Sequence, residues 1–178
     1  MLRTKIFLIM VFASLIFTSS VSAGPLSPVS ARIDIINVNE NGTISVRLKF
    51  TLKNGSDHGV DILKWGTPFE DRFTSDCFEV KRKEERMPYL GILVKRGTPG
   101  AEDFISIAAG SEISKTIYLE DGYQIYKAGV YSVQYRENSL IMNIKSPDLE
   151  NKRRTEKFSI QSNREEFLII EGRSEPVL

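Results

Sequence analysis

Thr43 to Asn54 reads TISVRLKFTLKN: Ile44, Val46, Leu48, Phe50 and Leu52 fall on one face, and Ser45, Arg47, Lys49, Thr51 and Lys53 take the other. Alternation at period two, sustained from Ile44 to Leu52, marks a β-strand with one face buried and one wet. The pair Asn41-Gly42 just before it marks a hairpin, so the alternating run ARIDIINVNE, Ala31 to Glu40, is expected as the strand before the turn.

Downstream, the turn cluster Asn54-Gly55-Ser56-Asp57 delivers the chain into VDILKWGTPFED, Val60 to Asp71, which carries the only Trp and follows directly on the only His. Ile62 and Trp65 are large enough to anchor a sheet core, and Trp65 is the expected core anchor. Gly66, Thr67 and Pro68 cannot continue a ladder and turn the chain toward the surface.

The remainder continues in short pieces. Cys77 to Lys81 reads as a brief strand, RKEER as a charged turn, and Met87 to Leu90 as an extended path leading into GILVKRGTPG, which ends in a strong breaker. Phe104 to Ile107 and Ile113 to Leu119 read as two strands about Ala108-Ala109-Gly110-Ser111. EDGYQIYKAG is a helical turn or loop, GVYSVQYRE and LIMNIK are strands, and SPDLENKRRTEK is a solvated loop before one or two closing strands in KFSIQSN and EEFLIIEGR.

No long segment shows a helical period, and about seven to nine short strands at roughly 8–12-residue spacing predict an all-β protein, an immunoglobulin-like antiparallel β-sandwich. No internal repeat or linker suggests a second domain. The expected organisation is a signal peptide over 1–23, a linker over 24–30, one sandwich domain over 31–173 and a frayed tail over 174–178.

The leader reading rests on Arg3 and Lys5 ahead of an apolar run from Ile6 to Phe17 and on the small residues Val21, Ser22 and Ala23. Such a run is too short to cross about 30 Å of hydrocarbon, so no membrane anchor is expected after cleavage. The location implied is periplasmic or secreted. Cleavage after Ala23 takes two of the 24 basic residues and none of the 23 acidic ones, leaving a net charge of −1. A near-neutral chain without a basic stripe predicts no nucleic-acid partner. Cys77, the single Cys, reads as a small buried hydrophobe, with a free thiol or an intermolecular link as the alternatives.

Composition also limits the chemistry. With His58 as the only His, a two-His zinc site within the chain is excluded, and a mixed site would have to be built from Cys77, His58 and carboxylates that nothing in the sequence brings together; a Ser or Cys triad would have to use His58 as its base, and no G-x-S-x-G elbow or Cys-centred signature accompanies it. His58 itself, in the polar turn NGSDHGV, reads as exposed. The acidic pairs Glu70-Asp71, Glu84-Glu85, Glu102-Asp103 and Glu120-Asp121 read as solvated turn residues rather than acid and base. The Gly-rich pieces RGTPGAED and AAGSE lack the strand–helix context of a phosphate cradle, and no cofactor is expected. Asn41-Gly42-Thr43 and Asn54-Gly55-Ser56 match a glycosylation acceptor and are read as turns.

Taken in order, DILKWGTPFED, FEV, MPYLGILVKRGTPGAEDFISIAAGSEIS and IYLEDGYQIYKAGVYSVQY resemble the N-terminal β-domain, or pro-region, of deuterolysin-type, lysine-specific zinc metalloendopeptidases. Leu63, Lys64, Trp65, Thr67 and Pro68 match first; Pro88, Tyr89, Gly91, Lys95, Arg96, Asp103, Gly110, Gly129, Tyr131 and Val133 follow. Gly66 stands where the pattern has Asn and Ala109 where it has Pro, and no HExxH occurs in the chain. The resemblance implies a freestanding, non-catalytic relative of a protease pro-domain. It implies a secreted zinc metallopeptidase as partner, bound as an inhibitor or folding chaperone. Thr67, Pro68, Phe69 and Tyr89 are the residues expected to meet that partner. An envelope-associated Ig-like binding or adhesion module with no protease partner is the alternative.

Overall fold

The computed structural model describes residues 27–40, 43–144 and 154–170. They form nine strands: β1 (Val29–Glu40), β2 (Thr43–Asn54), β3 (Val60–Leu63), β4 (Phe78–Arg82), β5 (Glu85–Arg86), β6 (Phe104–Ile107), β7 (Glu112–Tyr118), β8 (Gly129–Ile144) and β9 (Arg154–Ile169). All pairing is antiparallel. One sheet has the order β1-β2-β7; the other has the order β5-β4-β8-β3-β6, with β9 on β8. Two short 3-10 turns, Ala101–Asp103 and Leu119–Asp121, are the helical elements among the described residues.

The pairing on β8 explains the second sheet. Val60 to Ile62 pair with Ile144 to Met142, and Phe78 to Arg82 pair with Tyr135 to Tyr131, so β3 and β4 run in the same direction, end to end along β8. They are two halves of one strand, interrupted by residues 64–77. Counting them as one and setting aside the two-residue β5 puts the first, second and fifth strands in one sheet and the third, fourth, sixth and seventh in the other, an immunoglobulin-like arrangement in which the fourth strand joins the third. A second mark of that fold is Tyr131 near the start of β8, whose hydroxyl donates to the Lys127 carbonyl four residues upstream at 2.8 Å, a tyrosine corner.

The inward face of β2 is Val46, Leu48, Phe50 and Leu52, all fully buried. Where antibody domains join the second and sixth strands by a disulfide, Phe50 on β2 and Tyr135 on β8 place their ring centroids 4.6 Å apart. Phe78 on β4 stands edge-on to Tyr135 at 5.5 Å, and Tyr123, 6.3 Å from Phe78, continues the cluster outward to Phe73 at 5.7 Å and Tyr89 at 5.5 Å. Cys77 sits at the edge of this apolar mass, buried, and burial pushes its thiol well above the ordinary range. The reading of Cys77 as a small buried hydrophobe holds.

Two side-chain amides, one buried and one on the surface, tie the layers. Asn54, fully buried, donates to the carbonyls of His58, Ile107 and Ala108 and accepts from Ser56, locking the end of β2 to the next turn and to the β6–β7 corner. Its amide is therefore closed to modification in the folded chain. On the opposite edge, Asn163 of β9 accepts from the Ile33 N–H and donates to the Ile33 carbonyl, both at 2.9 Å. It supplies side-chain partners to an edge strand of the other sheet.

Three details depart from the expectations. β1 starts at Val29, inside the expected linker, because Val29 is buried and pairs with Asn54. The strands on either side of Ala108–Ser111 do not pair with each other: β6 joins β3 and β7 joins β2, so the turn crosses between sheets. GVYSVQYRE and LIMNIK form one strand, β8, whose polar stretch between Glu137 and Leu140 is absorbed as a register shift. The leader, the Asn41-Gly42 turn, the loop after Ile144 and the tail lie outside the described residues; no helix among those described is long and apolar enough to cross a membrane.

Two of the buried tyrosines, Tyr123 and Tyr135, predict opposite responses to loss of a hydroxyl. Tyr123 accepts from the Phe78 N–H at 2.8 Å and donates to Asp76 Oδ1 at 3.0 Å, whereas the Tyr135 hydroxyl has no hydrogen-bond partner among the described residues. Tyr123→Phe is expected to destabilise by about 1–3 kcal/mol, since it strands a buried N–H, while Tyr135→Phe is expected to be neutral or stabilising. Thermal or urea unfolding of the pair checks this ordering.

Candidate functional site

The interruption of the third strand builds the site. Residues 64–77 leave the sheet after Leu63 and return at Phe78, and their fold is fixed by local hydrogen bonds. The Lys64 carbonyl accepts from the Thr67 N–H at 2.9 Å and from the Thr67 hydroxyl at 2.6 Å, and the same hydroxyl accepts from the Phe69 N–H. Gly66 has φ of 71°, the left-handed region that Gly and Asn adopt at least cost.

Glu70 is the hub of this loop. Its carboxylate, mostly buried, accepts from the Gly66 N–H at 2.8 Å, from the Thr74 hydroxyl and from the Arg96 guanidinium. Lys115 of β7 reaches across to donate to the Glu70 carbonyl at 2.7 Å. The loop, β7 and the segment Leu90–Ile92 together wall a cleft of about 360 Å³, with Phe73, Leu90, Ile92 and Ile117 as its apolar lining and Thr74, Ser75 and Thr116 as its polar lining.

Trp65 marks the far margin of the loop. It is half-buried and lies outside the buried core cluster, so the expectation of a core anchor is corrected. The reason is polar: the indole N–H donates to Asp103 Oδ1 at 2.8 Å and the Arg96 guanidinium lies over the ring at 5.1 Å, which holds the side chain where a carboxylate and a cation reach it. The Asp103 carboxylate also accepts from the Gly100 N–H at 2.8 Å; that bond first, and the Trp65 bond second, hold its carboxyl below the usual range.

The four residues expected to meet a partner are placed unequally. Thr67 and Pro68 are buried, because Thr67 caps the loop from within. Phe69 is half-buried against Phe50, with centroids 5.6 Å apart. Tyr89 is half-buried against Tyr123, and burial pushes its hydroxyl pKa up to about 12. His58 is half-buried rather than exposed, with Nε2 3.2 Å from Asp57 Oδ1, and is not among the residues lining the cleft. No group of three His, Cys, Asp or Glu among the described residues converges to hold a metal.

Sequence reasoning missed Glu70, Asp103 and Arg96. Glu70 and Asp103 each belong to an acidic pair read as solvated turn residues; in each pair one acid turns inward and its neighbour, Asp71 or Glu102, stays exposed. The available signal was the short spacing of N–H donors, Gly66 four residues before Glu70 and Gly100 three before Asp103.

No family model matches the chain. The chain is similar to an extracellular protease of Aeromonas hydrophila, 29% identical over 119 residues, covering 66% of this chain and 33% of that protein. It thus spans about a third of the length of this relative.

Asp103 gives the site a defined acid response. A carboxyl whose folded pKa is depressed contributes fully above the unfolded value, 3.8, and its contribution is lost as pH falls through the lower folded value. Fluorescence of Trp65, the sole Trp, is expected to change in a step below pH 3.8, and Asp103→Asn is expected to abolish that step. Trp65→Ala is expected to cost about 1–3 kcal/mol, short of the ~3–5 kcal/mol of a fully buried ring.

Proposed function

We propose that this protein is a secreted, non-catalytic sandwich that binds an extracellular zinc metallopeptidase of the deuterolysin type, as an inhibitor of its activity or as an aid to its folding. The observation that carries the reading is the match over 119 residues to one third of an extracellular protease: in that relative, a stretch similar to this sandwich shares one chain with the rest of the protein. The geometry supports a binding role. A rigid β-scaffold presents a loop braced by Glu70, Thr67 and Asp103, with Phe69 and Tyr89 at its rim, and preorganisation of this kind lowers the ordering cost of association.

The test uses the full mature chain and the active extracellular protease of Aeromonas hydrophila. The expected result is binding in calorimetry together with either a stoichiometric loss of peptide hydrolysis or a raised yield of active protease on refolding. Absence of binding and of both effects would overturn the proposal and leave an Ig-like binding module without a protease partner.

A further inference from the structure

The segment that closes the cleft has a property that the loop itself lacks. From Ile92 to Pro99 every residue is exposed, and among the described residues Leu93 to Pro99 exchange no backbone hydrogen bond with the rest of the fold. Leu93 is 83% exposed, the highest value of any large hydrophobic side chain described, and Leu90, Ile92 and Val94 are exposed beside it. Left free, such a stretch would tuck its apolar groups away or move at no cost.

It is instead held at both ends. On the entry side the Leu90 N–H donates to the Gly122 carbonyl at 2.8 Å, the Ile92 N–H donates to the Phe73 carbonyl at 3.2 Å, and the Tyr89 hydroxyl donates to the Ile92 carbonyl at 3.1 Å. Gly91 lies directly under the Tyr89 ring, where an added Cβ would meet the phenol oxygen at 2.3 Å. On the exit side Arg96 is clamped between the Glu70 carboxylate and the Trp65 ring, and the Gly100 N–H is held by Asp103. The loop hydrogen bonds therefore converge on fixing a short span of chain whose own backbone groups stay open.

We propose that Ile92 to Lys95 is the span that enters the peptidase, lying extended in the groove where that enzyme takes peptide chain, with Leu93 filling an apolar pocket and the open backbone groups of Leu93 to Lys95 pairing as an added strand. This rests on the peptidase-binding reading above and names the element that makes the contact. Extended peptides are recognised in this way by main-chain pairing for affinity and by a side-chain pocket for specificity. An exposed apolar anchor held in place before binding avoids the ordering cost that a flexible segment carries. Arg96 is a positioning residue, since its side chain is committed to Glu70 and Trp65.

The test compares wild type, Leu93→Asp, Arg96→Ala and a control, Leu168→Asp on the exposed side of β9, in binding to the active extracellular protease of Aeromonas hydrophila. Leu93→Asp is expected to weaken binding by at least about tenfold with an unchanged melting temperature, the size expected for loss of an anchor, while Leu168→Asp stays within about twofold of wild type. Arg96→Ala is expected to weaken binding severalfold and to speed trypsin cleavage after Lys95 in the free protein. Wild-type binding by Leu93→Asp, in the presence of measurable wild-type affinity, would overturn this inference and leave the peptidase reading standing. Failure of wild type to bind would remove both. Loss of a dimer in Leu93→Asp with protease binding intact would assign the segment to self-association and likewise overturn it.

Discussion

Phe50 and Tyr135 touch across the two sheets, and the rest of the molecule is arranged around that contact. Each ring removes roughly 150–250 Å² from water, so at ~25 cal/mol per Å² one such ring contributes about 4–6 kcal/mol, on the scale of what a disulfide contributes to a small domain. The protein bridges its sheets without a second cysteine because Phe78, Phe73 and Tyr123 extend the contact as a continuous edge-to-face path. That path does not stop at the core. Phe73 itself lines the cleft, so the site rests on the centre of the domain.

Around this apolar path the polar groups have a second task, which is to fix chain that cannot join a sheet. Asn54 gathers three backbone carbonyls and a backbone N–H, and Glu70 and Asp103 each hold one backbone N–H together with side-chain donors. Such hydrogen bonds are individually worth about 1 kcal/mol, but leaving a buried partner unmade costs more. Their placement explains why a fourteen-residue departure from a strand can be ordered at all.

The sandwich was legible where burial has a simple period. Thr43–Asn54 alternates cleanly because one face meets the core and the other meets water, and its structure follows that pattern. β8 was less legible because its polar centre, Glu137 to Ser139, bulges out of the ladder instead of ending it, and a local reading cannot tell a bulge from a turn. Trp65 misled for a related reason: a large ring next to buried Ile62 and Leu63 looks like core, yet its N–H and its neighbours Arg96 and Asp103, distant in sequence, decide its depth. The cleft was invisible because β7, the loop and Leu90–Ile92 meet only through tertiary folding.

Placing the loop within a strand, rather than between strands, has a consequence for how the protein can change. β8 holds Ile62 opposite Met142 and Phe78 opposite Tyr135, so the two ends of the departure are fixed about seven strand residues apart, roughly 23 Å at ~3.3 Å per residue. A chain of about that many residues suffices to bridge the gap, and whatever exceeds it is free to vary in length and composition without disturbing the ladder on either side. The sandwich thus works as a socket with a fixed span, and new surfaces can be fitted into it while the scaffold stays as it is.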